Sequence, residues 1–259
     1  MATLCTKAIV RAPGRNFASG LTSVDLGSPV FERTLQQHEA YCGVLESCSL
    51  QLIRLDPDER YPDSTFVEDT AVLTPRGTVI TRPGAPSRLG EIDGIVPVLR
   101  EHYRELHSIS EPGTVDGGDV CEAGEHFFIG ISQRTNEEGA KQLAQLLDSF
   151  GYSSSLIDIR GLSNILHLKS GMAYLGGKHL VVIEALRGHK AFSGYDLIRL
   201  DSAEEYAANC LSVNGRVLIA GGFPAMKQEL DQLGYETIAL DMSEFQKMDG
   251  GLSCLSLRF

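Results

Sequence analysis

The chain has 259 residues, 42% of them hydrophobic, enough for one large domain or two small ones around a sizeable core. A formal net charge of −11 argues against nucleic acid or an anionic membrane as the main partner and suits a cationic one. The six cysteines form no CxxC pair, which excludes zinc-finger spacings and points to reduced thiols in a cytoplasmic setting.

The opening Met-Ala-Thr-Leu-Cys-Thr-Lys lacks the apolar run of a signal peptide. No segment approaches the roughly 18 consecutive apolar residues of a membrane span. Lys7–Arg11 reads as a strand, and residues 13–29, rich in Gly and Ser, as a long loop of the kind that forms lids. A helix is expected around Thr34 to Glu46 and a strand over Leu50 to Leu55.

From residue 66 a unit repeats. Phe66 to Thr74 predicts a strand, Pro75-Arg76-Gly77 a turn, and Thr78 to Arg82 the returning strand. A helix over Ser87 to His102 and a short strand near Leu106 to Ile109 follow. The same order recurs as hairpin 119–132, helix 137–150 and strand 155–159. It recurs again as hairpin 165–183, a short helix and strand 196–200. Hairpin 210–222, turned at the strong dipeptide Asn214-Gly215, then leads to helix 224–233 and strand 236–240. These are four hairpin–helix–strand units about 40 to 50 residues apart. A fifth is assembled from the two ends, with a C-terminal strand over 252–259 paired to Lys7–Arg11. The expected fold is α/β, a five-unit ring closed by its terminal strands, which leaves no exposed sheet edges. The plainer alternative is a layered α/β sheet, which would not place paired strands before each helix.

Unusual polar residues fall where the first strand of each unit begins, near the expected axis. They are Glu68 and Asp69, Asp116 and Asp119, His167 and Lys169, and Cys254 in the closing unit. Charges there are costly unless paired or functional. Each has a bland reading: His167 as a core histidine, Asp116-Gly-Gly-Asp119 as a turn, Glu68-Asp69 as a strand-end ion pair with Arg82, Cys254 as an inert buried thiol. Together they form a coherent set of thiol nucleophile, proton-transferring imidazole and orienting carboxylate.

Phe66-Val-Glu-Asp69, Ile80-Thr-Arg-Pro-Gly-Ala-Pro-Ser-Arg88, Val115-Asp-Gly-Gly-Asp-Val120, Leu166-His-Leu-Lys-Ser170 and Asp249 to Cys254 together resemble the dimethylargininases. The resemblance runs from Lys7 to Leu257. It implies a five-bladed α/β propeller in one catalytic domain, with 13–29 as lid and no cofactor or metal. The implied reaction converts asymmetric dimethylarginine or monomethylarginine to citrulline and a methylamine through a covalent thiouronium on Cys254. His167 is implied as the proton donor and then the base for water, and Asp116 as its orienting partner. Asp63, Glu68, Asp69 and Asp249 match acidic substrate contacts. Arg88 and Arg134 match the arginines for the substrate carboxylate. Backbone groups of Leu21 and Met248 match contacts with its amino end.

Arginine deiminases of the same superfamily carry a second carboxylate two residues after the histidine. Lys169 stands at that position here, which favours a methylated substrate. A propeller without catalysis, which only binds partners, would not need the Cys254, His167 and Asp116 set. Zinc held by Cys254 and His167 would be an inhibitor rather than a structural ion. The expected partner is a small molecule, with the chain a monomer or homodimer.

Overall fold

The computed structural model describes residues 4–259. β1 (Lys7–Arg11) is followed by the loop, then α1 (Phe31–Ser47) and β2 (Gln51–Leu55), which runs parallel to β1. β3 (Ala71–Thr74) and β4 (Gly77–Ile80) form an antiparallel hairpin. A 3-10 stretch over Pro86–Gly94 and α2 (Val96–Arg100) then cross to β5 (His107–Ser108), parallel to β4. β6 (Val120–Ala123), β7 (His126–Ile131), α3 (Glu137–Ser149) and β8 (Ser153–Asp158) repeat the pattern. So do β9 (Met172–Gly176), β10 (His179–Ile183) and β11 (Asp196–Leu200), joined by 3-10 turns. β12 (Leu211–Val213), β13 (Arg216–Ala220), α4 (Pro224–Gln232) and β14 (Glu236–Leu240) come next. After α5 (Ser243–Gln246), β15 (Leu257–Arg258) pairs antiparallel with β1, placing Ala8 opposite Arg258.

Among the described residues there are five three-stranded sheets of one design: an antiparallel pair whose middle strand also takes a parallel neighbour. The fifth, β15-β1-β2, is built from both ends of the chain, as the sequence pattern predicts. Sheets touch their neighbours in chain order, with β15 against β3, β6 against β9, and β9 against β12. The apolar cluster of Ala8, Val10, Tyr41, Leu45, Val213 and Leu218 packs the fourth of these sheets on the fifth.

Helix α3 shows how the elements follow from sequence. Asn136 caps it by accepting from Gly139 N at 2.8 Å, and Ala140, Leu143 and Leu147 bury one face. Leu146, beside them in sequence, is only partly buried. The helix expected over 87–102 is instead mostly 3-10, because Pro86, Gly90, Gly94 and Pro97 deprive it of α-helical residues.

The expected strand 66–74 also differs. Val67–Thr70 is a 3-10 turn, and only Ala71–Thr74 is extended. Thr70 Oγ1 donates to Val67 O at 2.6 Å, a local bond that competes with sheet pairing. The C-terminal strand shortens in the same way, since Ser253–Leu255 is a 3-10 turn. Such turns also occupy Gly117–Asp119 and Leu168–Ser170. The polar residues expected on inner strands therefore sit on the turns just before them, and these four turns touch in series.

The turn between β12 and β13 fastens two sheets. Asn214 (φ 47°) accepts from Cys5 N at 3.0 Å and donates to Cys5 O and Cys48 O, each at 2.8 Å. Asn214→Ala removes all three bonds and keeps a left-handed backbone that alanine disfavours. We expect a loss of about 2–4 kcal/mol in denaturant unfolding, with an unchanged m-value.

Candidate active site

Leu21, Asp63, Phe66, Asp69, Arg88, Arg134, Leu166, His167, Met248, Asp249, Gly250 and Cys254 line one small cavity. Nine of the residues singled out from sequence are therefore brought together, from segments as far apart as Leu21 and Cys254. Phe66, Leu166 and Gly250 are the lining residues that sequence reasoning did not assign, although all three lie inside the quoted motifs. Asp116 stands behind the cavity, fully buried, with Oδ2 2.9 Å from His167 Nε2. Its Oδ1 accepts from Gly84 N at 2.7 Å.

Glu68 is not a wall of the cavity. Ser253 Oγ donates to its Oε2 at 2.8 Å, and Lys169 Nζ lies 2.6 Å from its Oε1. The lysine and the hydroxyl draw the carboxylate behind the turn that carries Cys254. Glu68, expected as an acidic substrate contact, is thus outside the lining of the cavity and paired with Lys169.

Arg88 lines the cavity but is heavily engaged. Its Nε and Nη2 donate to Glu91 at 2.9 and 2.8 Å, and Nη1 to Asp69 at 2.6 Å. Nη2 also approaches the carbonyls of Phe66 and Asp63 at 3.3 and 3.4 Å. Of the five N–H groups of a guanidinium, one on Nη1 is left for a ligand. Arg134 is half-buried and has no ion pair among the described residues.

The loop over 13–29 closes one side. Phe17 is buried edge-on against Phe66 and Phe245, with ring centroids 5.8 and 5.5 Å away. Leu21 N donates to Asp63 at 3.1 Å, and Ser23 N to Asp249 Oδ2 at 2.6 Å. Asn209, which sequence reasoning missed, joins two turns: Ser253 N donates to its Oδ1 at 2.9 Å, and its Nδ2 donates to Lys169 O at 3.1 Å. Nothing in the sequence marks it beyond its place before Cys210.

Close packing explains the glycine pair of Asp116-Gly-Gly-Asp119. A Cβ on Gly118 would lie 2.7 Å from His167 Nδ1 and 2.9 Å from Asp69 Oδ1. Any side chain there would push the imidazole from its carboxylates. The same turn donates Gly118 N to Asp69 Oδ1 at 2.8 Å.

Burial pushes the Cys254 thiol up to about 12, and the neighbouring Glu68 and Asp69 push the same way. Burial alone would hold His167 neutral. The charges of Asp69 and Asp119 and the bond to Asp116 overcome it and raise the imidazole to about 9. Asp69 is held down at about 2 against its burial, chiefly by His167 and Arg88. At neutral pH the cavity wall therefore carries a thiol and an imidazolium.

Among the described residues the one group able to offer clustered metal ligands is Asp69, Asp116 and His167, and Cys254 is outside it. Those atoms are already spent on Arg88, Gly118, Gly84 and each other. Among the described residues no helix is long and apolar enough to cross a membrane.

No protein-family model matches the chain. It is 43% identical over 252 residues to the N(G),N(G)-dimethylarginine dimethylaminohydrolase of Pseudomonas aeruginosa, covering 97% of this chain and 98% of that one. The chain belongs to the dimethylarginine dimethylaminohydrolase family. A relative with the same name from Streptomyces coelicolor is 33% identical over 257 residues, covering 97% and 96%. A solved structure of the Pseudomonas aeruginosa enzyme, a cysteine-to-serine variant complexed with citrulline, superposes with a TM-score of 0.96 at 42% identity. That match covers 99% of this chain and 100% of the other.

The His167 charge has a signature in stability. A group whose folded pKa lies above its unfolded value stabilises fully below the unfolded value, near 6.5, and loses this as pH rises through the folded value. His38 and Asp119 complete most of their change below about pH 7, and unfolded cysteines begin near pH 8.5. Glu91, raised to about 7, titrates at the start of that window and lowers stability in the same direction as His167. Between about pH 7 and 8.5 the unfolding free energy is therefore expected to fall by about 1–2 kcal/mol, and His167→Gln to flatten that slope. Denaturant unfolding at stepped pH measures it.

Proposed function

We propose that the chain hydrolyses asymmetric dimethylarginine or monomethylarginine to citrulline and the corresponding methylamine, with Cys254 as nucleophile, His167 as proton shuttle and Asp116 as its orienting partner. The observation that carries the reading is one cavity lined by a thiol, an imidazole held by a carboxylate, three acids and two arginines. Asp63, Asp69 and Asp249 are the acids available to a flat cation, and Arg134 with the remaining N–H of Arg88 is available to a carboxylate. Leu21 and Met248 line the part of the wall proposed for the amino end.

The resting thiol must lose its proton before it can attack. A guanidinium placed between Asp69 and Cys254 offsets the charges that hold the thiol up. The thiol proton passes to bulk water, and the thiolate adds to the guanidinium carbon. His167 keeps its Nε2 proton on Asp116, so the mobile proton is on Nδ1. That proton goes to the departing amine as the C–N bond breaks, leaving a thiouronium on Cys254. The neutral imidazole takes a proton from water and hydroxide adds to the same carbon; collapse breaks the C–S bond, and the proton of the new hydroxyl passes to the departing sulfur, which restores the thiol as citrulline is released. Pairing of Lys169 with Glu68, where a deiminase has a second carboxylate, supports a methylated rather than an unmethylated group.

The fold we propose for this chemistry is a single five-bladed α/β propeller, supported by five sheets of one design and the split fifth sheet. The four touching turns would lie at its hub, with residues 13–29 as a lid.

Cys254→Ser is expected to reduce citrulline release by at least about 10³-fold. Side-by-side assays on dimethylarginine, monomethylarginine and arginine test the substrate, and preference for arginine would sink the methylarginine reading. The thiolate absorbance near 240 nm, taken as wild type minus Cys254→Ser, should not appear until well above pH 8.5 in free protein. It should move to lower pH when a guanidinium-bearing ligand binds. A thiolate already present at pH 7 without ligand contradicts the proposed order of events.

A further inference from the structure

Asp119 takes no part in the chemistry above, yet it is fully buried and touches two of the turns that do. We propose that Asp119 is a positioning residue: its one carboxylate ties the turn carrying His167 to the turn carrying Arg134, so that the reacting carbon and the remote carboxylate of the substrate are met in register. This rests on the roles proposed above for His167 and Arg134.

Three bonds make the tie. Oδ1 accepts from Leu168 N at 2.9 Å, the residue next to His167. Oδ2 accepts from Ser132 Oγ and from Thr135 Oγ1, both at 2.6 Å. Ser132 Oγ then accepts from Arg134 N at 2.9 Å and Thr135 N at 3.0 Å, which closes the turn holding Arg134. Thr135 Oγ1 also accepts from Asp116 N at 3.1 Å, so the partner of His167 is tied to the same point. The niche is shaped for a carboxylate: a Cβ on Gly130 of β7 would lie 2.9 Å from Asp119 Oδ1.

The charge matters as well as the bonds. Hydroxyl bonds of 2.6 Å to a carboxylate are in the charge-assisted range. Burial raises Asp119 to about 6, with His167 opposing, so it is ionised at neutral pH. Asp69, Asp116 and Asp119 all face His167, Arg88 stands behind Asp69, and Cys254 and Arg134 share the cavity wall. Losing one of three carboxylates must lower the affinity of the imidazole for its proton. A bond that only secured the fold would leave that titration in place.

Asp119→Asn keeps the shape and an acceptor for Leu168 N but removes the charge. Histidine NMR should show the His167 proton affinity reduced about tenfold or more, with the alkaline limb of citrulline release moving to lower pH by the same factor. Ser132→Ala leaves the carboxylate and its Thr135 and Leu168 donors in place but removes one hydroxyl from Oδ2 and frees the Arg134 turn. It should raise KM several-fold and move the His167 titration much less than Asp119→Asn does. Should Asp119→Asn not fold, Thr135→Val gives a second uncharged cut of the tie, and both tie variants with KM and kcat within twofold of wild type overturn the proposal. An Asp119→Asn protein that folds, melts earlier and keeps the wild-type His167 titration also overturns it. A wild-type chain that releases no citrulline removes the proposed function, while the NMR titration still decides whether Asp119 sets the imidazole.

Discussion

Three carboxylates surround one imidazole in a nearly dry interior, and the rest of the site depends on how that charge is balanced. Asp69, Asp116 and Asp119 are each at most 3% exposed, and His167 is 6% exposed. An isolated carboxylate in such a place would give up its charge. Each of these is instead met by specific donors: Arg88 and Gly118 N on Asp69, Gly84 N and His167 on Asp116, two hydroxyls and Leu168 N on Asp119. The donors are mostly backbone amides and hydroxyls, which stabilise an anion without adding a competing full charge. One cation, Arg88, is divided between Asp69 and Glu91. Removing any single member leaves a buried charge uncompensated, so the cluster constrains the sequence of every turn that touches it.

That constraint explains why the site is built on turns rather than strands. A strand alternates its side chains between two faces and cannot send neighbours such as Glu68 and Asp69 to linked sites at one end. A 3-10 turn placed just before a strand can, and Glu68 and Asp69, Gly117–Asp119, Leu168–Ser170 and Ser253–Leu255 all use one. The turns then pack so closely that a Cβ on Gly117 would lie 2.0 Å from Glu68 O. The paired glycines therefore record contact between two turns as well as a bend in one.

These facts separate what could be read along the chain from what could not. Hairpins were legible because their signals are local. Asn214-Gly215 turns where its dipeptide predicts, and the strands Asp196–Leu200 and Glu236–Leu240 have the expected bounds. The repeat order, and with it the split fifth sheet, followed from counting such units. The 3-10 turns were not legible, because Phe66 to Thr74 has the apolar spacing of a strand and only side-chain bonds such as Thr70 to Val67 reveal the turn. Candidate residues were marked by their misplaced polarity, and His167, Asp69 and Cys254 meet in one cavity. Glu68 lies outside that lining, because sequence shows a charge without showing that Lys169 and Ser253 claim it. Asn209 carried no signal, since its value lies wholly in linking two turns remote in sequence.

The balance of charge also bears on why a cation suits this cavity. One acid is shared: Asp69 helps to hold His167 protonated and, after burial and together with Glu68, holds Cys254 protonated. In the proposed mechanism the two effects oppose each other, because it needs an acid on the imidazole and a base on the sulfur. Lys169 cannot resolve the conflict, since its charge is committed to Glu68 at 2.6 Å. A guanidinium entering beside Asp69 adds positive charge at the sulfur while leaving the Asp116 and Asp119 contacts of the imidazole in place. It thereby lowers the thiol without first stripping the proton that the leaving amine requires. In this reading the ligand brings positive charge to the sulfur, where Arg88, Arg134 and Lys169 do not supply enough of it, and the proposed reactive state is assembled when that ligand binds.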